Sequence, residues 1–355
     1  MEILSIEDIL SLAIAGETNW KQYGDVNVVS NGKDLLLFSY DNHAAIAHRW
    51  NFFERVSRGL IINKVTGEVV ARPWAKFFNW GEEPLFDNAL MIEATEKMDG
   101  SLGILYRDEG EYKIATRGSF NSEQALWATE WLNHHIISHI DNNITLLFEI
   151  IYPDNRIVID YHGWSGLVLI GAKDRFDGRD LLYQELSVIA DINDFAQPKV
   201  YHFDDVHDII AAAQHLIWNE EGWVARFSNG QRFKFKGDAY LAAHRIVTGL
   251  NYKRVMEAIQ AGVLNDLLAS LPNEFHKEVM VYVDQIGGEV EHIWSNIITH
   301  KNLAPTTSRK DFALYVRDNC PEIRNFMFMV YDNRGGINIH DAIYKFLLER
   351  YKDNG

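Results

Sequence analysis

The sequence predicts an α+β protein in which a mainly β N-terminal domain, 1–245, precedes an all-helical C-terminal domain, 246–355. Short apolar runs separated by turn residues fill the chain between Lys33 and Ile170, which is typical of antiparallel sheets. Beyond Asp238, apolar residues recur at helical spacing instead. With 355 residues and 47% hydrophobic composition, the chain can build two cores of ordinary size.

Individual elements follow from local patterns in chain order. We predict strands over short apolar runs that are bounded by turn residues: 35–38, 60–62, 69–71, 102–106, 112–116, 146–151, 157–161, 167–170, 222–227 and 232–236. We predict helices where apolar residues have helical spacing: 1–16, 125–139, 183–191, 206–216, 239–250, 255–271, 275–300, 309–316 and 339–351. Before the second helix, Asn121–Gln124 has the pattern of a capping box with Asn121 as the cap.

One lysine, Lys97, stands inside an otherwise apolar, strand-like region and is followed at once by an acid and a tight glycine turn, in the segment Glu96-Lys97-Met98-Asp99-Gly100-Ser101. Making a lysine neutral at pH 7 costs about 4.6 kcal/mol. A nucleophilic lysine therefore needs burial, nearby cations or a metal ion. Gly100 would let the backbone turn closely against a ligand, and Asp99 could accept a hydrogen bond from a ribose hydroxyl or orient its neighbour. The alternative is a solvated lysine on a surface hairpin.

The dipeptide Asn229-Gly230 between alternating runs predicts a β-hairpin with a two-residue turn. Counting outward from that turn places Trp223 opposite Lys236 and Glu221 next on the same face. Since opposed residues share a face, we expect Lys234, Lys236 and Glu221 on one side of the sheet. Two cations beside an acid suit phosphates and a divalent metal. The alternative is a solvated strand face with a surface ion pair.

A single carboxylate, Glu149, stands in an otherwise apolar strand, where it is costly to bury unless it is paired or binds a metal. We interpret it as a metal or ribose contact, with an interior salt bridge as the alternative. Arg58 and Lys76 could contact phosphate or the RNA end, and Phe77 or Phe78 could stack on a base. Their alternatives are an edge-strand arginine and ordinary core residues. Arg117 is equally ambiguous.

Composition excludes several classes of protein. The net charge of −16 argues against broad, non-specific coating of nucleic acid but permits a local basic groove. The single cysteine, Cys320, excludes an intrachain disulfide and disfavours zinc-cluster and thiol-redox sites. The first residues carry acid where a signal peptide carries base, and no apolar run reaches membrane-spanning length. We therefore expect a cytoplasmic protein without a membrane partner.

Together these motifs resemble the bacteriophage RNA ligase 1 family, the ATP-dependent enzymes that repair cut tRNA. The resemblance covers roughly residues 33–245 in the family's order, and it is carried by Tyr40, Arg58-Gly59, Lys76, Phe78, Lys97–Ser101, 118–126, Phe148–Val158, Glu221–Ala225, Phe233–Lys236 and Tyr240. Arg117 stands where a lysine is expected in the family, which keeps the charge but changes the donor geometry.

The resemblance implies a nucleotidyltransferase domain over 1–245 and a helical domain over 246–355 that could bind RNA. It implies three transfers: Lys97 attacks the α-phosphate of ATP, AMP passes to an RNA 5′-phosphate, and an RNA 3′-hydroxyl displaces AMP. Residues implied in catalysis are Lys97, Lys234 and Lys236. Residues implied in ATP binding are Tyr40, Arg58, Lys76, Phe78, Asp99, Gly100, Arg117, Glu149, Glu221, Lys234 and Lys236. Glu149 and Glu221 would hold Mg²⁺ or Mn²⁺, and Arg58 and Tyr240 would contact the RNA end.

The implied partners are single-stranded RNA or nicked tRNA ends, with a polynucleotide kinase/phosphatase acting upstream of a monomeric ligase in the host cytoplasm. A DNA ligase or an mRNA capping enzyme would share the lysine chemistry. Those families usually follow the paired lysines with an OB-fold, where this chain has helical periodicity. A non-catalytic RNA-end-binding module is another alternative, although it has no chemical need for the complete set of charged residues. A plain structural α/β protein is the last alternative, and it explains neither Glu149 in its apolar strand nor the shared face of the hairpin.

Overall fold

The computed structural model describes residues 5–47, 50–135, 140–271, 273–332 and 338–352. Contacts between Cα atoms divide the chain into two compact units, Met1–Val247 and Thr248–Gly355. Within the described ranges, no helix combines the length and apolarity needed to cross a bilayer. The predicted α+β class with a helical C-terminal region is confirmed.

The first unit is built on antiparallel sheets. Its strands are β1 Val26–Ser30, β2 Leu35–Tyr40, β3 Arg58–Asn63, β4 Glu68–Ala71, β5 Phe78–Asn79, β6 Met91–Glu96, β7 Ser101–Asp108, β8 Glu111–Ala115, β9 Ile144–Ile151, β10 Gly166–Asp174, β11 Val200–Tyr201, β12 Gly222–Phe227 and β13 Arg232–Lys236. The N-terminal sheet has the order β1-β2-β3-β4, the central sheet β10-β9-β7-β8, and the hairpin sheet β11-β6-β12-β13-β5. All pairings are antiparallel except β13 with β5.

Helices flank these sheets. They are α1 Ile6–Ile14, α2 Asn42–Ala47, α3 Phe52–Val56, α4 Glu123–Asn133, α5 Tyr183–Asn193, α6 Val206–Ala213 and α7 Asp238–Thr248. The N-terminal and central sheets share an apolar core in which Leu37 and Ile61 pack with Ile104 and Leu147. The hairpin sheet has a separate core of Trp223, aromatic residues of β12 and β13, and the apolar face of α6.

One predicted strand and one predicted helix cap in this unit are wrong. The segment 157–161 is not a strand, because the backbone N–H groups of Val158 and Ile159 donate to the carboxylate of Asp99 instead of a neighbouring strand. The cap of α4 is Ser122 rather than Asn121, since the Ser122 hydroxyl accepts the hydrogen bond from the N–H of Ala125. That helix ends at Asn133, and its predicted end at 136–139 lies outside the described residues.

The second unit is helical. It contains α8 Tyr252–Ala261, α9 Leu264–Ser270, α10 Asn273–Leu303, α11 Arg309–Asn319, α12 Arg324–Tyr331 and α13 Ile339–Lys352. The long helix α10 packs against α8, α12 and α13 and supplies buried Val279, Ile286 and Ile297. The sequence predicted one helix over 255–271. Gly262, which has a left-handed backbone conformation, ends α8 and divides the predicted helix into α8 and α9. It also missed α12.

Candidate active site

Lys97 lies in the loop that leaves β6 of the hairpin sheet and enters β7 of the central sheet. Its backbone N–H donates to the carbonyl of Gly222 at 2.8 Å, which attaches the loop to the start of β12. Its side chain is 19% exposed, and Nζ lies 2.7 Å from Oε2 of Glu221. The alternative of a solvated surface lysine is therefore wrong.

Glu221 is a buried carboxylate that forms ion pairs with two lysines. Its second oxygen, Oε1, lies 3.0 Å from Nζ of Lys236, and the carboxylate is 2% exposed. Burial raises the pKa of Glu221, but the charges of Lys97 and Lys236 outweigh burial and hold this pKa below its ordinary value. The charged form of the Glu221 carboxylate is therefore favoured, and the carboxylate lies between the side chains of Lys97 and Lys236.

The hairpin that carries these groups has a different register from the predicted one. Arg226 pairs with Arg232 and Gly222 pairs with Lys236, because the turn holds three residues, 228–230, instead of two. Trp223 therefore faces Phe235 in the core and does not share the face of Lys236.

Glu221 reaches the lysines through an unusual backbone turn. Strict alternation would send Glu221 to the face opposite Lys236, since Gly222 is the residue paired with Lys236. Gly222 has φ of +135°, outside the extended range, and an added Cβ would lie 1.9 Å from the carbonyl oxygen of Phe235. This glycine breaks the alternation, so the carboxylate and both lysines meet although the predicted register is wrong.

Glu149 enters the site from β9 of the central sheet. Its Oε1 accepts the N–H of Gly100 at 3.0 Å. Burial raises the pKa of Glu149 to about 7, with the charges of Glu221 and Asp99 adding to the rise and Lys97 opposing it. Gly100 is required here for close approach to protein, because an added Cβ would lie 2.5 Å from the carbonyl oxygen of Ile150.

Asp99 is buried, at 4% exposure, and its carboxylate is surrounded by protein donors. Its Oδ2 accepts the N–H groups of Val158 and Ile159, both at 2.9 Å, and its Oδ1 accepts the hydroxyl of Tyr240 at 2.8 Å. Its own N–H donates to the hydroxyl of Tyr161 at 2.7 Å. Of the two roles predicted for Asp99, these contacts fit orientation of the lysine loop better than a ribose contact.

Tyr240, which donates a hydrogen bond to Asp99, is also buried. Its ring is 1% exposed and packs with Val158 and Ile159 beneath the lysine loop. A side chain buried in this way cannot touch an RNA end without a rearrangement of the core. In this structure its hydroxyl contacts Asp99, and its predicted contact with an RNA end stays a prediction.

A cavity of about 220 Å³ opens beside Lys97. Its charged lining consists of residues from all three sheets and the lysine loop: Arg58, Glu96, Lys97, Glu149 and Lys234. Apolar walls come from Trp74, Phe77, Leu102, Ile170 and Val224. The structure thus brings together a lysine, acids and cations that are far apart in sequence.

A cluster of cations surrounds Tyr40 next to this cavity. The guanidinium of Arg117 lies 4.7 Å from the centre of the Tyr40 ring, and Nζ of Lys76 lies 5.9 Å from it. Burial raises the pKa of Tyr40, but Arg117, Lys76 and Arg58 outweigh it and lower this pKa to about 7. Nη1 of Arg58 is buried without a hydrogen-bond partner among the described residues. The cluster suits a bound anion.

Aromatic rings support the cluster. Nζ of Lys76 lies 5.0 Å from the ring centre of Phe78 and 5.4 Å from that of Trp50. Phe78 follows from the sequence prediction, whereas Trp50 and Trp74 do not. No local motif marks either tryptophan, and only the three-dimensional contacts reveal them.

The described acidic residues of the site are too few to hold a metal by themselves. They suit a metal ion that is bound together with a phosphate group. In the described part of the chain, no group of three or more His, Cys, Asp or Glu residues could hold a metal. Mg²⁺ commonly takes one or two carboxylates and completes its shell with substrate phosphates and water. Glu149 fits this pattern, since burial penalises its charge and a cation would offset that penalty. Both oxygens of Glu221 already lie beside lysines.

Comparison with known proteins assigns the chain to a family. A family model described as RNA ligase, of the T4 RNA ligase 1 type, matches residues 56–240, which is more than half of the chain. The chain belongs to the bacteriophage RNA ligase 1 family. The matched range contains every charged residue of the cavity and of the Glu221 cluster.

Named relatives cover different shares of the chain. A putative bifunctional polynucleotide kinase/RNA ligase of Autographa californica nuclear polyhedrosis virus is 28% identical over 299 residues, covering 74% of this chain and 42% of the viral protein. A putative RNA ligase of Thermovibrio ammonificans is 26% identical over 277 residues, covering 70% and 71%. A solved variant of Naegleria gruberi RNA ligase with ATP and Mn aligns at 18% identity and a TM-score of 0.35, covering 44% of this chain and 52% of its own.

Proposed function

We propose that this protein is an ATP-dependent RNA ligase that joins an RNA 5′-phosphate to an RNA 3′-hydroxyl through lysine–AMP and RNA–adenylate intermediates. The observation that carries the proposal is the position of the Lys97 amine, 2.7 Å from the Glu221 carboxylate and at the wall of a cavity that also receives Glu149, Arg58 and Lys234. Family membership supports the same reaction.

In the first step, a bond forms between Nζ of Lys97 and the α-phosphorus of ATP while the bond to pyrophosphate breaks. An amine attacks only in its neutral form, so the ammonium proton has to leave before or during attack. Glu221 is the group placed to receive or relay this proton, since its Oε2 lies 2.7 Å from Nζ. Lys236 stays beside Glu221 and balances the charge of the carboxylate before the proton arrives and after Glu221 has passed it on.

Charge neutralisation accounts for the other cations. Phosphoryl transfer depends on positioning and on stabilising negative charge around phosphorus. Lys234 lines the cavity beside Lys97, and we assign it with Lys236 to the α-phosphate. We assign Tyr40, Arg58, Lys76, Arg117 and Phe78 to a neighbouring anion site for pyrophosphate or the RNA 5′-phosphate, because three of them are cations grouped around one phenol.

A divalent metal completes this proposal. Glu149 would hold Mg²⁺ or Mn²⁺, which would supply further charge neutralisation to the phosphates when bound. We place Glu221 beside Lys97 rather than in the metal shell, since its oxygens contact Lys97 and Lys236.

Polynucleotide ends are the proposed substrates. The name of the baculovirus relative joins a polynucleotide kinase to an RNA ligase, which supports a kinase acting upstream to supply 5′-phosphate ends. We further propose that single-stranded RNA or nicked tRNA is sealed and that the helical unit contributes to RNA binding.

Incubation with α-labelled ATP and Mg²⁺ tests the first step. Wild-type protein is expected to acquire the label, and Lys97→Ala is expected to acquire none. Lys113→Ala is the matched control, because Lys113 also pairs with a carboxylate, Asp108, at 2.8 Å but lines no part of the Lys97 cavity. Labelling of Lys97→Ala at the wild-type level would overturn the assignment.

The later steps, transfer of AMP to RNA and joining of the ends, are tested with different substrates. Labelled protein is mixed with 5′-phosphorylated single-stranded RNA or with a DNA of the same sequence, and ligated product is measured. Joining of RNA supports the proposal. Label from GTP in place of ATP would favour a capping enzyme, and joining of DNA alone would favour a DNA ligase. RNA binding without any label would favour a non-catalytic end-binding module.

A further inference from the structure

A second cavity, of about 230 Å³, adjoins the Lys97 cavity. Trp74 and Phe77 line both cavities and form the wall between them. Lys76, which belongs to the cation cluster around Tyr40, also lines the second cavity. We call it the Arg232 pocket, after the arginine of β13 at its base.

The buried charges of the Arg232 pocket do not balance. Asp180 accepts Nη1 of Arg232 at 2.6 Å and Nζ of Lys173 at 3.2 Å, and the three side chains are at most 15% exposed. Two cations share one carboxylate. Arg226 and Arg72 add positive charge nearby, and Glu93 adds one negative charge. Uncompensated buried charge is costly, so a phosphate group that entered the pocket would stabilise the cluster.

The rim of the pocket carries an ion pair. Arg55 pairs with Glu83 there, so this pair contributes no net charge. The positive potential therefore comes from the buried cluster and Lys76 rather than from exposed lysines. The chain as a whole has a net charge of −16 and repels polyanions. A local excess of positive charge therefore attracts a polyanion to this pocket in preference to the rest of the surface.

Aromatic groups accompany this charge. Phe86 is 54% exposed although it lines the pocket. Its backbone is fixed to the hairpin turn, because its N–H donates to Oε1 of Gln231 and its carbonyl accepts Nδ2 of Asn229. Trp74 is 8% exposed, has Arg232 on its ring face at 4.3 Å, and has an Nε1 without a hydrogen-bond partner in the described structure.

We propose that the Arg232 pocket binds one phosphate and one base of a single-stranded RNA whose reacting end enters the Lys97 cavity. Positive grooves that alternate with aromatic rings bind single strands in this way, with bases stacked on the rings and phosphates on the cations. The phosphate lies by Lys173 and Arg232, and the base stacks on Phe86. This inference rests on the proposed ligase function, because it assumes that the Lys97 cavity receives a polynucleotide end.

Two variants test the pocket. Lys173→Gln removes the charge while it can keep a hydrogen bond to Asp180, and Phe86→Leu removes an exposed ring with little effect on folding. Lys113→Gln and Phe176→Leu are the matched controls, since Lys113 pairs with Asp108 and Phe176 is 64% exposed, and neither lines the pocket. Binding of a labelled single-stranded RNA is measured by fluorescence anisotropy at several salt concentrations.

Lys173→Gln is expected to weaken RNA binding about tenfold and to reduce the slope of log affinity against log salt by about 0.7, the value for one phosphate contact on a single strand. Phe86→Leu is expected to weaken binding by roughly fivefold or more without changing this slope. Both variants should form lysine–AMP at rates within about twofold of wild type. The controls should match wild type in every measurement.

Two results would overturn the proposal. One is unchanged RNA binding by both variants, and the other is an equal loss of lysine–AMP formation and RNA binding in Lys173→Gln, which would assign the pocket to ATP. Two RNAs identify the bound strand. One has a 5′-phosphate and a blocked 3′ end, and the other has a 3′-hydroxyl and no 5′-phosphate. The pocket binds the strand whose affinity is lower for the two variants than for the wild-type protein. If wild-type protein formed no lysine–AMP, the ligase proposal would fail while the RNA-binding measurement would still decide the pocket.

Discussion

The hydroxyl of Tyr240 donates a 2.8 Å hydrogen bond to Oδ1 of Asp99, which lies two residues after Lys97. The other carboxylate oxygen accepts two backbone N–H groups from the segment that follows β9. One buried carboxylate thus ties the lysine loop to α7 and to the central sheet. The position of the Lys97 amine depends on contacts beneath the site as well as on the residues that face the cavity.

Tyr240→Phe should lower both stability and the rate of lysine–AMP formation. The change leaves Oδ1 of Asp99 buried without this donor, which costs about 1–3 kcal/mol of unfolding free energy. Urea denaturation and labelling from α-labelled ATP measure the two effects. Tyr252→Phe is the matched control, because the Tyr252 hydroxyl donates to Glu289 at 2.9 Å in the helical unit, and it should leave labelling unchanged. Full labelling by Tyr240→Phe would contradict a positioning role.

Gly222→Ala should be among the most damaging single changes in the hairpin. The added Cβ would lie 1.9 Å from the carbonyl oxygen of Phe235, so β12 and β13 would have to separate where Glu221 meets Lys236. We expect a loss of about 3 kcal/mol or more in unfolding free energy, together with loss of the lysine–AMP adduct.

Gly230→Ala is the matched control for this change. Gly230 also has a positive φ, +86°, but nothing lies within 4 Å of an added Cβ. Only backbone strain of about 1 kcal/mol is expected there, with normal adduct formation. Equal effects of the two substitutions would show that steric overlap at Gly222 is not the cause.

Glu149→Gln should remove a pH dependence of stability. The folded-state pKa of Glu149 is about 7, above the ordinary value of 4.5, so its contribution is fully present below pH 4.5 and is lost as the pH rises through 7. Glutamine resembles the protonated acid and can still accept the N–H of Gly100. The variant should equal wild type near pH 4.5 and be more stable at pH 8, by roughly 1–3 kcal/mol. Parallel urea-denaturation profiles from pH 5 to 8 would contradict this expectation.

Tyr40 should ionise near neutral pH. Its pKa is about 7 because three neighbouring cations outweigh the effect of burial, so ultraviolet absorption should show a phenolate with a midpoint near pH 7 that is missing in Tyr40→Phe. Arg117→Gln removes the nearest guanidinium and should move this midpoint upward. A midpoint unaffected by Arg117→Gln would mean that the cations do not control the ionisation.

Much of the fold could be predicted because its signals are local. The hairpin of β7 and β8, the strand that carries Glu149, and most helices follow from apolar periodicity and turn residues within a few positions. One error occurs where a distant group replaced a local partner. Asp99 accepts the N–H groups of Val158 and Ile159, so that apolar segment cannot join a sheet.

The sequence by itself determined the chemical types of the site, namely a lysine beside an acid and a glycine, a lone glutamate in an apolar strand, and two lysines with alternating spacing. Only the tertiary structure decided which of them meet. It directed Glu221 to Lys97 through the backbone of Gly222, enclosed Asp99 and Tyr240 in the core, and placed Trp74 between two cavities. The physical reason is range: propensity and alternation act over a few residues, whereas ion pairs and steric exclusion depend on packing between segments that are far apart in the chain.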